Sequence, residues 1–132
     1  MSSYLLDTGV FLLSFGSAGR LNAKAREILV GSENKLWLSA ASPWEISIKW
    51  HRGKLTLPNP PSIYVPERLT SHGIRSLPIN HHHGLAAGEL PRHHDDPFDR
   101  ILIAQAISEN LVLMTTDRQF EKYEVKVLWC GK

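Results

Sequence analysis

The sequence has 132 residues, 42% of them apolar, and a formal net charge of only +2; this is enough chain for a folded core and too small a charge imbalance to name a partner. The lone cysteine, Cys130, excludes a disulfide scaffold within the chain, and no apolar run is long enough to cross a bilayer. With no basic and then apolar leader at the N-terminus, the expectation is a soluble, cytoplasmic protein with no membrane association, forming one domain over residues 1–132.

Ser3 to Leu6 is a short apolar run ending at Asp7-Thr8, which reads as a buried strand turning into a helix from Gly9 to Phe15. Leu21 to Val30 places Leu21, Ala25, Ile28 and Leu29 at helical spacing, with Gly31 as the stop. Leu36 to Leu38 is a second strand. Ser42-Pro43-Trp44-Glu45 has the grammar of cap, proline, aromatic and acid, and predicts a helix from Pro43 to Arg52 ending at Gly53. A proline-rich connector, Leu55 to Pro61, leads to a helix from Pro61 to Ser71 that Pro66 weakens or interrupts.

Ile74 to Ile79 is a third strand, and Pro78 puts it at an edge or a strand end. His82 to Leu90 is a short helix. Asp96 then suits an N-cap, Pro97 the first helical position, and Asp99 the third, where its carboxylate can reach back to the cap. From Phe98 to Ile107 that helix is apolar almost all round, so it should be covered on several sides. Leu111 to Thr115 is a strand, Asp117 to Lys122 a helical turn, and Val125 to Trp129 a last strand. Short strands without polar alternation, separated by helices, argue for an α/β fold with a parallel sheet covered on both faces.

The chain has eight glutamates but only five aspartates, Asp7, Asp95, Asp96, Asp99 and Asp117, each at a predicted junction. Helix capping alone explains such a pattern. Ligands of open parallel sheets, however, bind beyond the carboxyl ends of the strands. Asp7, Glu45, Asp99 and Asp117, from four separated segments, would share that rim. Two unit charges ~4 Å apart repel by about 4 kcal/mol at an effective dielectric near 20. Such a set calls for a hard divalent cation with oxygen ligands, and Mg²⁺ also binds substrate phosphate. The chemistry that follows is attack of a metal-activated water on a phosphodiester. No Ser-His or Cys-His arrangement competes.

Leu5-Leu6-Asp7-Thr8, the stretch Ser39-Ala40-Ala41-Ser42-Pro43-Trp44-Glu45-Ile46-Ser47-Ile48-Lys49, the stretch His94-Asp95-Asp96-Pro97-Phe98-Asp99-Arg100-Ile101-Leu102-Ile103-Ala104-Gln105-Ala106, and Thr116-Asp117 resemble PIN domains, most of all the toxin subunits of VapBC-type toxin–antitoxin pairs. The resemblance covers Ser3 to Trp129. It implies a three-layer α/β/α fold with a five-stranded parallel sheet, order 3-2-1-4-5. It implies a metal-dependent endoribonuclease that uses Mg²⁺ or Mn²⁺, cuts structured RNA such as tRNA, forms a homodimer and is held inactive by a cognate antitoxin. Carried over by position, Asp7, Glu45, Asp99 and Asp117 are the catalytic, metal-holding acids, with Asp96, Thr8 and Thr116 supporting them. Gly9-Val10 and Asp95 depart from the residues that relatives often carry; Asp95 removes positive charge beside the site.

Lys49, Arg52, Arg100 and Arg118 are placed to hold phosphates, with a solvated positive face as the alternative. His93 and His94 read first as loop-ordering residues, with RNA contact or proton transfer as the other option. The His81–His83 run is not expected to bind metal, because adjacent helical residues point apart. Trp44 and Trp50 are expected in the core or a dimer interface. Two rival functions remain. A phosphoacceptor signalling domain needs an acid after a middle strand, yet none follows Ile74–Ile79, and Gly9 stands where a phosphoaspartyl phosphatase wants a second aspartate. A non-catalytic interaction module would use the acids as caps only.

Overall fold

The structure, a computed structural model, describes residues 2–132. In chain order its elements are β1 (Ser3–Leu6), α1 (Thr8–Gly16), α2 (Ala23–Val30), β2 (Lys35–Ser39), α3 (Ala41–His51), α4 (Pro61–His72), β3 (Arg75–Leu77), α5 (His81–Glu89), α6 (Pro97–Ser108), β4 (Val112–Thr115) and β5 (Val127–Trp129), with 3₁₀ turns at Ala18–Arg20 and Arg118–Lys122. The five strands form one sheet in the order β3-β2-β1-β4-β5, and every pairing is parallel. The expected architecture and strand order are both present. No helix among the described residues is long and apolar enough to cross a membrane.

Side chains alternate across the strands, so each central strand feeds two cores. Leu6, Leu38 and Met114 join Val10, Phe11, Ile46, Tyr64 and Val65 on one side. Leu5 and Leu113 join Leu102, Ile103, Phe120 and Tyr123 on the other. The register sets Leu6 against Leu38 and against Met114. Asp7 and Thr115, the next residues along β1 and β4, are therefore neighbours at the carboxyl edge.

Several boundaries differ from expectation. The α3 helix starts at Ala41, because the Ser39 hydroxyl accepts the Ala41 N–H at 3.1 Å and Ala40 already has helical dihedrals. Ser42 is thus inside the helix rather than its cap, and Glu45 stands two positions deeper than expected, at the fifth helical residue. The α4 helix runs through Pro66 without interruption. Pro66 is the sixth of its twelve residues and forgoes one interior backbone hydrogen bond, while the adjacent Tyr64 and Val65 are buried and hold the helix to the core. Gly73 ends that helix at φ 63°, the left-handed conformation that glycine adopts without a Cβ clash. Leu21 lies outside α2, in an antiparallel bridge to Gly131. Asn22 caps α2 by accepting from Ala25 N, and its amide donates to the Trp129 and Gly131 carbonyls at 2.9 and 3.0 Å.

Candidate active site

The carboxyl edge collects side chains from β1, α3, α6 and the turn after β4. Asp7 follows β1 and is buried; its Oδ1 accepts from Val10 N at 2.6 Å, and its Oδ2 accepts a short hydrogen bond from the Thr115 hydroxyl. Thr115 Oγ1 in turn accepts from Asp117 N at 2.9 Å, which ties the turn after β4 to Asp7. Thr8, the next residue, donates to Glu45 Oε1 at 2.7 Å and lies 3.0 Å from Ser42 Oγ. Lys49, one turn further along α3, meets Glu45 Oε2 at 2.7 Å.

The α6 helix approaches the same edge through an edge-to-face contact of Trp44 and Phe98, 5.4 Å between ring centroids. These rings are the sequence neighbours of Glu45 and Asp99. Asp99 Oδ2 lies 3.1 Å from His94 Nε2, and its other oxygen has no hydrogen bond among the described residues. Asp117 caps the following 3₁₀ turn through Oδ1 to Gln119 N.

Electrostatics links these groups. Burial pushes the Asp7 carboxyl up to about 6; its bonds to Thr115 and Val10 pull the other way, while the charges of Glu45 and Asp117 push it up further. Burial is also the largest influence on Asp99, raised to about 7, with repulsion from Asp96 next, partial relief from His94, and a further push from Glu45. The charge of Glu45 is felt by both aspartates.

The predicted residues divide into those that meet and those that do not. Asp7, Glu45, Asp99 and Asp117 are joined by the contacts and repulsions above, and Thr8 touches Glu45. Asp7, Asp96 and Asp117 are all helix N-caps as well, so the capping explanation holds for one oxygen of each. Asp96 accepts from Phe98 N and Asp99 N. Asp99 does not reach back to the cap; it turns to His94 instead. The supporting hydroxyl beside Asp7 belongs to Thr115, not Thr116, because the pleat aims Thr115 at Asp7.

Arg100 corrects the phosphate-holding expectation. It is buried, and its guanidinium donates to the carbonyls of Ala87, Leu90 and Pro91 at 2.9 Å each and of His94 at 3.4 Å. It anchors a loop and has no free edge for a phosphate. Arg118 lies 3.5 Å over the Trp129 ring and is bonded to Glu121, whereas Lys49 is exposed beside Glu45. Trp44 is 66% exposed and so is not a core residue. Of the His81–His83 run, the buried His83 is structural: it closes a capping box with Asn80 and meets Glu109 at 2.9 Å. The contacts that Ser42, Thr115 and Tyr123 make at this edge escaped the sequence reading, since hydroxyls have no spacing signature until strand register and loop path bring them to their partners.

The donor set suits a hard cation. Every candidate donor is an oxygen, two of the carboxyls are raised by burial and mutual repulsion, and the full cation bonded to any of the four is Lys49 alone among the described residues. Among those residues no three His, Cys, Asp or Glu side chains already form a ready-made metal-holding group. Asp7 and Glu45 have both oxygens engaged, so the arrangement is a negatively charged rim whose side chains have to turn to share one ion.

A family model described as PIN domain matches residues 4–126. Over 60 residues, 46% of this chain, the sequence is 42% identical to Ribonuclease VapC16 of Mycobacterium tuberculosis, and the matched stretch spans 43% of that relative. Among solved structures, VapBC2 from Rickettsia felis bound to a DNA fragment from its promoter aligns with a TM-score of 0.73 at 15% identity, covering 98% of this chain and 99% of that one. VapBC-1 from nontypeable Haemophilus influenzae aligns with a TM-score of 0.65 at 21% identity, covering 96% and 97%. FitAcB from Neisseria gonorrhoeae gives 0.66 at 21%, covering 95% and 96%. At these identities the structural likeness speaks to the fold.

Proposed function

The chain belongs to the PIN domain family, and from that premise we propose that it is a metal-dependent endoribonuclease, the toxin of a VapBC-type toxin–antitoxin pair, folded as a single PIN domain over residues 1–132. The observation that carries this reading is the coupling of Asp7, Glu45, Asp99 and Asp117 at one sheet edge, with Glu45 raising both Asp7 and Asp99. Mg²⁺ or Mn²⁺ bound there would activate a water for attack on a backbone phosphate and offset charge on the leaving oxygen. The named relative is a ribonuclease and the structural neighbours are VapBC complexes, which supports an RNA substrate, with tRNA as the class to test first, and a cognate antitoxin as partner. Dimer formation and a cytoplasmic setting go with the same reading.

In this reading the chain's own residues have separate tasks. Asp7, Asp99, Asp117 and Glu45 hold the cation. Thr115 and Thr8 restrain the Asp7 and Glu45 carboxylates through their hydroxyls. Lys49 is within reach of both Glu45 and the solvent side, where a phosphate would approach; Arg118, next in sequence to Asp117, is stacked on Trp129 and bonded to Glu121 and would have to leave Glu121 to meet a phosphate. Arg100 and Asp96 serve the fold.

The test is incubation of purified protein with total RNA, with Mn²⁺ or with EDTA, followed by mapping of cut ends. Discrete cuts that need Mn²⁺ and vanish in Asp7→Asn are the expected result. Unchanged cleavage by the folded Asp7→Asn protein would refute the assignment.

A further inference from the structure

The loop before α6 brings a histidine to Asp99 and holds it from two directions. His94 Nε2 lies 3.1 Å from Asp99 Oδ2, and His94 Nδ1 lies 2.7 Å from the Tyr123 hydroxyl. The same hydroxyl oxygen accepts from the His94 backbone N–H at 3.2 Å. The His94 carbonyl falls within reach of Arg100, whose other three bonds fix the loop at Ala87, Leu90 and Pro91. Tyr123 is buried and half-buried His94 packs edge-on against Phe120.

Building on the reading of Asp99 as a cation ligand, we propose that His94 is a positioning residue: it holds Asp99 Oδ2 through Nε2 so that Oδ1 is left for the cation, with Tyr123 fixing the ring and Arg100 fixing the loop. Tyr123 holds the ring from the far side: its hydroxyl lies 2.7 Å from Nδ1 and 3.4 Å from the His94 carbonyl, and it accepts the His94 backbone N–H, so the ring is aimed with Nε2 at Asp99 Oδ2. Oδ1 has no other hydrogen bond among the described residues, so it is the oxygen left to bind. Outer partners of this kind typically change metal affinity by about 10- to 100-fold when lost.

The experiment is a Mn²⁺ titration of the full chain followed by electron paramagnetic resonance, with folding of each variant checked by thermal melt in EDTA. His94→Leu removes the donor, His94→Gln replaces it with an amide N–H of similar reach, and Tyr123→Phe removes the hydroxyl that orients the ring. The expected result is a Mn²⁺ dissociation constant raised about tenfold or more in His94→Leu and in Tyr123→Phe, and largely restored in His94→Gln. Excess Mn²⁺ should recover RNA cleavage by His94→Leu, which damage to packing alone would not allow. Wild-type affinity in folded His94→Leu overturns the proposal, and so does a His94→Gln protein as weak as His94→Leu. If His94→Leu fails to fold, Tyr123→Phe decides, and unchanged affinity there overturns it. Failure of the wild type to bind Mn²⁺ sinks the metal-centre reading itself, a result distinct from a wild type that binds and variants that match it.

Discussion

Asp7→Asn should make the metal-free protein more stable, although it removes a residue of the active edge. Burial holds the Asp7 carboxyl at about 6 instead of 3.8. At ~1.36 kcal/mol per unit, ionising Asp7 in the folded protein above that range withdraws about 3 kcal/mol of stability. The sign follows from the raised value: the folded state binds the proton more tightly than the unfolded chain, so the carboxyl favours folding at low pH, and this advantage is lost as pH rises through about 6. Asparagine keeps the oxygen that accepts from Val10 N, but leaves the Thr115 hydroxyl proton without its acceptor, a loss of ~1 kcal/mol. The net expectation is a gain of about 2 kcal/mol for Asp7→Asn near pH 8 in EDTA, falling to zero or slightly below it near pH 4, where the ~1 kcal/mol loss at Thr115 outweighs what is left of the gain. Urea denaturation at the two pH values measures it, and a variant no more stable than wild type near pH 8 refutes the electrostatic reasoning. Saturating Mn²⁺ should reverse the order, since ~100 times the dissociation constant adds about 2.7 kcal/mol to a protein with an intact site and little to one without.

The raised Asp99 carboxyl, about 7, predicts that Mn²⁺ binding strengthens as pH rises through about 7, because the cation competes with a proton; isothermal titration across that range checks it, and pH-independent affinity contradicts it. Arg100→Met should lower stability by about 2–4 kcal/mol, as the carbonyls of Ala87, Leu90 and Pro91 lose their donor; a variant that stays stable but has lost only RNA affinity would restore the phosphate role. Gly131→Ala should cost about 1–3 kcal/mol in a urea titration, because the added Cβ would sit 2.5 Å from the Trp129 ring; a neutral result means the indole moves aside freely.

Legibility of this molecule in its sequence varied with the range of the contacts. The central strands β1, β2 and β4 were readable because each is a short, largely apolar run buried in the sheet, and Asp7 because it ends the first of them. The candidate acids could be picked out by their junction positions, but capping and cation holding predict the same junctions, and capping is what Asp7 and Asp117 display. Arg100 was misread because a lone arginine after an acid looks like a phosphate contact; its burial depends on carbonyls from Ala87 to His94 turning inward, which no local pattern encodes. Thr115 was passed over in favour of Thr116 because the choice depends on the β1–β4 register, a pairing of segments more than a hundred positions apart. The entry of α3 was missed for a local reason: Ser39, inside a strand, supplies the hydroxyl expected of Ser42.

The seam between Asn22 and the segment 129–131 has a consequence for assembly. Asn22 draws on carbonyls 107 and 109 positions away to secure the start of α2, and closing so wide a loop is slow relative to local helix growth. A ribosome-bound fragment that stops short of these residues has an unpinned flank and an outer edge without β5. If it also stops short of Asp117, its acidic quartet lacks one member. The rim that the proposed function needs is therefore complete only after the segment from Asp117 to Gly131 has been made.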